Sequence, residues 1–548
     1  MLKVASPTVL VIRDGWGRNP NPSHDAFNAV HLAATPCCDA LLREYPWTLV
    51  RTSGRDVGLP DGTMGNSEVG HQNLGAGRIV RQDAVRISEA IISGRFARNR
   101  VLCDAMARAR GSSRPVHLIG LGSDAGVHSR LSHLFGCLAL CCAWQVEAVI
   151  HLITDGRDTG PFTACSLIEQ IQRRSDRLGT GEIATVCGRF YAMDRSHRWE
   201  RVQAAYDLLT GRQPDAPRFT TAAEAVQDYY RHPARPTQRG DEFIRPRYVG
   251  PGPGQSIRDG DTVIFYNYRG DRPRQLVQAF VLPDFFGHVV PSPDGGARGF
   301  DRGRKLDLLF VTMNGYQQAL GAYVQVAFDK PPTLDSIGGQ YLAELGLTQF
   351  RCAETEKFAH GTFFFNDYRD EPFAGESRRM AQSPLVDTYD LAPAMSAAQV
   401  TQSVLERLAS NDCEHFILVN LANADMVGHT GNLAAAVEAV EEVDGCVGRL
   451  ANATLKRGGR CLVTADHGNA EQMVDPATGS AHTAHTTYDV ECIVVDRRHG
   501  PKATGSGARP SSALRAAGRL ADIFPTVLDL MGLAKPEAMT GRSLLQVD

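Results

Sequence analysis

The chain has 548 residues, 43% hydrophobic and 22% charged, with a formal net charge of -3. This is the balance of a globular protein too long for one compact core, so two domains are expected. No global field favours nucleic acid or an anionic membrane, and neither is expected as a partner.

The opening "MLKVASPTVLVIRDGWG" has an apolar run too short for a signal peptide, and Arg13 interrupts it. No stretch approaches the roughly 20 apolar residues of a spanning helix. The final "LLQVD" is neither a prenylation nor a peroxisomal tail. The thirteen cysteines include no C-x-x-C pair, which fits reduced thiols better than zinc fingers or a disulfide framework. A cytoplasmic protein is expected.

In chain order, short apolar runs end abruptly in polar residues. "TVLVI" ends in Asp14-Gly15, "PVHLIG" in Ser123-Asp124, and "AVIHLIT" in Asp155-Gly156-Arg157-Asp158. "TVIFYNY" ends in Arg269, "FILVNL" in Ala424-Asp425, and "RCLVT" in Ala465-Asp466-His467. Segments of helical spacing, such as 394–410 and 433–456, lie between them. Continuous apolar strands alternating with helices predict an α/β architecture whose parallel sheets are covered on both faces. Ligands of such sheets gather beyond the carboxyl ends of the strands. The stretches 232–260 and 286–305, rich in Gly, Pro and Arg, read as long surface loops, and 499–515 as exposed and mobile.

Three stretches carry chemistry. In "TMGNSEVGHQ" (63–72), Gly65, Asn66 and Gly70 predict a turn holding Ser67 and Glu68, with His71 behind. The decapeptide alone does not decide between a turn serine and a nucleophile. Past residue 400 the strand ends carry Asp and His. "NLANADMVGH" sets Asp425 and His429 four apart, on one face if helical, although a helix N-terminal Asp with a surface His has the same spacing. "CLVTADHGNAEQM" adds Asp466 and His467, "HTAHTT" adds His482 or His485, and Asp14 is a further oxygen ligand. These groups suffice for two divalent ions, the arrangement that clamps attacking and leaving oxygens in phosphoryl transfer. Between 125 and 275 the strand ends carry arginines instead: Arg157, Arg189, Arg195, Arg198, Arg201, Arg269, Arg272 and Arg274, with Asp158, Asp194 and Asp271 among them. Guanidinium forks suit a small, highly anionic substrate, though Arg198 and Arg201 also fit a solvated helix face. "GLGSDA" (120–125) imitates a dinucleotide fingerprint, but Gly126 would break the first turns of the helix it needs.

Taken together the motifs strongly resemble the cofactor-independent phosphoglycerate mutases of the alkaline phosphatase superfamily. The likeness runs through "DGWG" (14–17), "MGNSEVGHQNLGAGR" (64–78), "SDAGVHS" (123–129), "TDGRDT" (154–159), "GRFYAMDR" (188–195), "RGDR" (269–272), "AETEKFAHGTFFFN" (353–366), "TYDLAPAMSA" (388–397), "ADMVGHTG" (424–431), "TADHGNAEQM" (464–473) and "HTAHT" (482–486). The resemblance implies a phosphatase-like metal domain formed by 1–80 and 315–548, with a transferase domain over 85–310 inserted on two short hinges. It implies interconversion of 3-phosphoglycerate and 2-phosphoglycerate through a phosphoserine at Ser67, with no bisphosphoglycerate cofactor. Asp14, Ser67, Asp466 and His467 match the ligands of one metal, and Asp425, His429 and His485 those of the other, which selects His485 over His482. The ions are expected to be manganese first, with cobalt, zinc or magnesium acceptable. Lys357, with Glu356 beside it, matches the lysine that steadies the transferring phosphoryl group. His128, Arg157, Asp158, Arg189, Arg195, Arg269 and Arg272 match the phosphoglycerate-holding residues. Asp158 is the candidate for proton traffic on the glycerate hydroxyls, and the protein is expected to be a monomer. Three departures stand out: Arg13, where the family usually has an aliphatic residue, Asn314, and "TTYDVE" (486–491) in place of "TTNPVP".

Overall fold

In a computed structural model, residues 6–250, 255–293, 298–500 and 513–546 are described. Most of the loop expected over 499–515, the first five residues of the opening segment and the last two of "LLQVD" lie outside them. The chain divides into two compact units, Met1–Gln82 with Pro332–Asp548, and Asp83–Pro331. Each is built on its own eight-stranded sheet.

The strands run β1 (Thr8–Arg13), β2 (Trp47–Arg51), β3 (Val116–Gly122), β4 (Ala148–Thr154), β5 (Glu182–Gly188), β6 (Arg218–Phe219), β7 (Arg247–Val249), β8 (Thr262–Phe265), β9 (Leu309–Thr312), β10 (Gln325–Val326), β11 (Gln349–Glu354), β12 (Glu376–Ala381), β13 (Phe416–Leu421), β14 (Arg460–Thr464), β15 (Val490–Val495) and β16 (Ala517–Arg519). The first unit's sheet has the order β12-β11-β13-β1-β14-β15-β2-β16, and the second's β10-β9-β8-β3-β4-β5-β7-β6. Four central neighbours in each, β11-β13-β1-β14 and β8-β3-β4-β5, run parallel. Neither sheet is wholly parallel: β15 is antiparallel to both β14 and β2, and β7 is antiparallel to β5.

The continuous apolar runs have the cause expected of them. In β3, β4 and β8, Leu118, Ile150, Leu152 and Ile264 enter one core cluster of the second unit. Their neighbours Ile119, Leu121, Ile153, Val263 and Phe265 enter another on the opposite face. Successive strand side chains point to opposite faces, so a sheet covered on both needs apolar residues at every position. Burying each Val, Leu or Ile contributes about 1.5–3 kcal/mol, which anchors strands whose ends are crowded with charge.

Two expectations are corrected here. The stretch 232–260 is more than a surface loop, because it contains buried β7, paired to β5 and β6. β8 stops at Phe265, so Arg269 follows it by a short loop rather than directly. The segment after "GLGSDA" contains no helix until Leu131, and Gly126 adopts a φ of 75°. No fingerprint helix forms there. Among the described residues no helix is long and apolar enough to cross a membrane.

Candidate active site

In the first unit, the carboxyl ends of four adjacent parallel strands deliver Lys357 after β11, Asp425 after β13, Asp14 after β1, and Asp466 and His467 after β14. Ser67 is not in a turn. It is the first residue of the helix Ser67–Ala76, whose N-cap Asn66 accepts a hydrogen bond from the Val69 amide at 3.0 Å. Gly70, which argued for a turn, is instead a packing requirement, since a Cβ there would lie 2.8 Å from Asp466 Cβ. Gly15 has a φ of 75°, and a Cβ would meet the Asp425 backbone at 2.6 Å.

Ser67 Oγ lies 2.8 Å from His467 Nε2, 2.7 Å from Lys357 Nζ and 3.4 Å from Asp14 Oδ1. Lys357 Nζ also donates to Asp14 Oδ1 at 2.8 Å and to Asp425 Oδ2 at 2.6 Å. Burial works against its charge, but Asp14, Asp425 and Asp466 outweigh burial and raise its pKa. Burial and the neighbouring Asp466 push Asp14 up to about 6, despite Lys357. Asp466 is held low, His467, His71 and Lys357 overcoming its desolvation. Burial lowers His467 to about 3.

Two sets of ligand atoms converge, Asp14–Asp466–His467 and Asp425–His467–His485. Asp425 and His429 belong together as their spacing suggested, with Nε2 of His429 3.3 Å from Asp425 Oδ1. His485 Nε2 is 3.2 Å from the same oxygen and 3.1 Å from His429 Nε2. His429 and His485 point Nδ1 at the carbonyls of Thr483 and Gly65, at 2.8 and 2.9 Å. A carbonyl partner fixes a proton on Nδ1, so in their neutral forms both rings turn an Nε2 lone pair towards Asp425 Oδ1 and one another. Lone pairs and a carboxylate facing one point suit a cation. Both buried oxygens of Asp466 likewise lack a hydrogen bond. His71 Nδ1 is 3.2 Å from Asp466 Oδ2 but donates its hydrogen to the Ser67 carbonyl at 2.9 Å. The donor set therefore fits divalent ions. His482, the alternative considered, keeps a buried Nδ1 without a partner and joins neither set.

Sequence reasoning missed the residues that orient these ligands. Asn420 donates to Asp14 Oδ2 at 2.8 Å and Asn469 to Asp425 Oδ1 at 2.8 Å. Glu471 accepts from the amides of Gly17 and Asn469 at 3.0 and 2.8 Å and from the Thr486 hydroxyl. Asn469 and Glu471 follow His467 by two and four residues in "DHGNAE", a signal that could have found them, whereas Asn420 lies five residues before Asp425 and carries none.

In the second unit, β8, β3, β4 and β5 deliver Arg269 and Arg272, His128, Arg157 and Asp158, and Arg189 and Arg195 from their carboxyl ends. Arg189 is buried, and its Nη1 bridges Asp155 Oδ1 at 2.6 Å and Asp158 Oδ2 at 2.5 Å. Its Nε and Nη2 are buried without partners, donors available to an anion. His128 lies 3.7 Å from both Asp158 and Asp271, and burial with the Arg189 charge lowers its pKa to about 4. Asp271 pairs with Arg269 at 3.1 Å and Arg195 at 3.4 Å. Arg157, Arg195 and Arg269 are each about half exposed. Arg272 reaches the Met193 carbonyl at 3.5 Å. Asp155 was read only as a strand end. Its Oδ1 also accepts the Arg157 and Asp158 amides at 3.2 and 3.0 Å, so it shapes the loop that presents both. Arg201 is not a solvated helix residue: it binds Asp194 at 3.1 Å and lies 3.9 Å over the Phe190 ring.

The model of the Metalloenzyme superfamily matches residues 6–535. The chain is 51% identical over 547 residues to the 2,3-bisphosphoglycerate-independent phosphoglycerate mutase of Rhodopirellula baltica, covering 98% of this chain and 97% of that one. It is 48% identical over 542 residues to the protein of that name from Gloeothece citriformis, covering 99% and 96%. Among solved structures it is similar to a phosphoglycerate mutase of Leishmania mexicana at low cobalt concentration. That likeness has 30% identity and a TM-score of 0.69, over 99% of this chain and 98% of that one.

Proposed function

The chain belongs to the 2,3-bisphosphoglycerate-independent phosphoglycerate mutases, metalloenzymes by superfamily, and on that premise we propose how its own residues interconvert 3-phosphoglycerate and 2-phosphoglycerate. The observation that carries the reading is Ser67 Oγ, held at a helix N-terminus within 2.8 Å of both Lys357 and His467.

Ser67 gives up its hydroxyl proton as Oγ attacks phosphorus, the bond from phosphorus to the glycerate oxygen breaks, and that oxygen takes up a proton as the phosphoserine forms. The Lys357 ammonium, kept charged by three carboxylates, donates to Oγ and then to the phosphoryl oxygens, offsetting charge as it develops. The helix N-terminus adds a favourable partial charge at the same atom. Asp14, Ser67, Asp466 and His467 would hold one divalent ion, and Asp425, His429 and His485 a second. When bound, these supply Lewis-acid activation of the hydroxyl and neutralise phosphoryl charge. Asn420 fixes Asp14 of the first ligand set and Asn469 fixes Asp425 of the second. Manganese is the first candidate, with cobalt, zinc or magnesium as alternatives of compatible ligand preference.

The unit Asp83–Pro331 is the proposed substrate-holding, transferase part, and the other unit the phosphatase-like part. Arg157, Arg189, Arg195, Arg269 and Arg272 grip the carboxylate and phosphate. The unpartnered Nε and Nη2 of Arg189 supply a fork for one of them. Asp158, paired with Arg189 Nη1 at 2.5 Å, moves the proton between the two glycerate hydroxyls. His128, neutral at physiological pH, offers a hydrogen bond without adding charge. Glycerate stays gripped, turns, and takes the phosphoryl group back on its other oxygen.

The test is product analysis by phosphorus NMR after mixing the metal-loaded protein with 3-phosphoglycerate and no bisphosphoglycerate. The expected result is 2-phosphoglycerate without free phosphate. Release of phosphate as the main product would overturn the transfer back to glycerate.

A further inference from the structure

Arg13 and Glu491, two of the residues that depart from the family pattern, meet in the structure. Arg13 is the last residue of β1, wholly buried, and its Nη2 lies 3.2 Å from Glu491 Oε2 at the start of β15. β14 lies between these strands, so the side chain spans its carboxyl end, from which Asp466 and His467 emerge. The other Glu491 oxygen accepts Arg18. Both guanidiniums are backed by rings, Arg13 at 4.6 Å from the Trp16 centroid and Arg18 at 4.8 Å from Trp47.

Between the two arginines lies the turn Asp14–Gly17. Its backbone is already tied to the neighbouring loops: the Asp14 carbonyl accepts the Asp425 amide at 3.0 Å, and the Gly15 carbonyl accepts the Asn469 amide at 3.0 Å. Glu471 holds the Gly17 amide from the other side, and a Cβ on Gly17 would fall 2.4 Å from its carboxyl carbon. The turn is therefore gripped by two carboxylates, Glu471 on its backbone and Glu491 on its flanking side chains.

We propose that Arg13, Glu491 and Arg18 form a positioning clamp that fixes the Asp14 turn against the segment carrying His485, and so sets the spacing of the two ligand groups. A buried ion pair contributes little net stability against an apolar pair of similar volume, because desolvation offsets the attraction. Its distinctive product is geometry, since opposed charges tolerate less slippage than two aliphatic chains. The assignment of ligand groups comes from the proposed function, but the clamp itself is testable without metal.

The experiment compares the full chain with Glu491→Gln and with the apolar double variant Arg13→Leu/Glu491→Val, by hydrogen–deuterium exchange and by manganese titration followed by electron paramagnetic resonance. In the metal-free protein both variants should exchange faster over 14–18 and 466–471, while the helix Leu433–Lys456 is unchanged. Both should bind manganese about tenfold more weakly, the low end for loss of an outer-shell partner. The substrate KM should be kept as kcat falls. The double variant decides where Glu491→Gln fails to fold, because it leaves no buried charge unpaired. Unchanged exchange over 14–18 in the double variant would overturn the clamp whatever the metal data say. Faster exchange with wild-type manganese affinity would overturn its link to the ligand groups.

Discussion

The two sheets use the same device for opposite ends. Each presents its charged groups at the carboxyl ends of four adjacent parallel strands, yet one set is rich in carboxylates and imidazoles and the other in guanidiniums. In the first unit three buried aspartates share one lysine, and three imidazoles add lone pairs; negative charge and unshared electrons are in excess. In the second, each carboxylate is matched to a guanidinium, and buried donors on Arg189 remain unspent. Burial differs too: Ser67, Lys357, Asp14 and Asp466 are buried, whereas Arg157, Arg195 and Arg269 stand half in water. Position at a strand end therefore says that a site exists, and the balance of donors against lone pairs says what it takes.

That contrast can be broken by experiment. The largest effect should come from Ser67→Ala, which removes the atom proposed to accept the phosphoryl group. Turnover should fall by about 10⁴-fold or more while manganese binding persists through the remaining ligands. Near-normal turnover would remove Ser67 from the mechanism. Next, Asp158→Ala should lower kcat by roughly 10²–10⁴-fold, the ordinary worth of a general acid–base group. A rise in KM alone would make Asp158 a binding residue and leave proton transfer to another group.

A smaller effect is expected from acid. Burial with Arg189 lowers His128 to about 4, and burial with Arg130 lowers His133 to about 3, from an ordinary 6.5. Both are neutral in the folded second unit across the range where the unfolded chain takes up protons. Stability from these groups is intact above pH 6.5 and declines as pH falls towards 4, by roughly 3 kcal/mol for each histidine. Urea midpoints between pH 8 and 4.5 would show it, and a flat profile would contradict it. The smallest effect should follow Arg195→Ala. This half-exposed arginine is proposed to grip ground state and transition state alike, so KM should rise about tenfold with kcat little changed. A loss confined to kcat would place Arg195 at the reacting atoms.

Much of this protein is legible before folding. Period-free apolar runs mark strands covered on both faces, and the residue after each run marks the site edge, as Asp14, Asp155, Asp425 and Asp466 do. Ser67 was misplaced in a turn because local propensity counts Gly65 and Gly70 as breakers. The helix forms anyway, since Asn66 caps it and Gly70 is needed where Asp466 packs against it. Asn420 and Asn469 went unseen because an amide that orients a carboxylate carries no charge, spacing or periodicity of its own.

What the sequence determined by itself was the layer pattern and the kinds of chemical group at each strand end, because both depend on neighbours along the chain. What only the tertiary structure decided was which groups share a point in space. Lys357 bridges Asp14 and Asp425, Asn420 finds Asp14, and Arg13 finds Glu491, because strands far apart in sequence lie side by side in the sheet. Contacts of that kind depend on strand order, which short-range pattern does not encode.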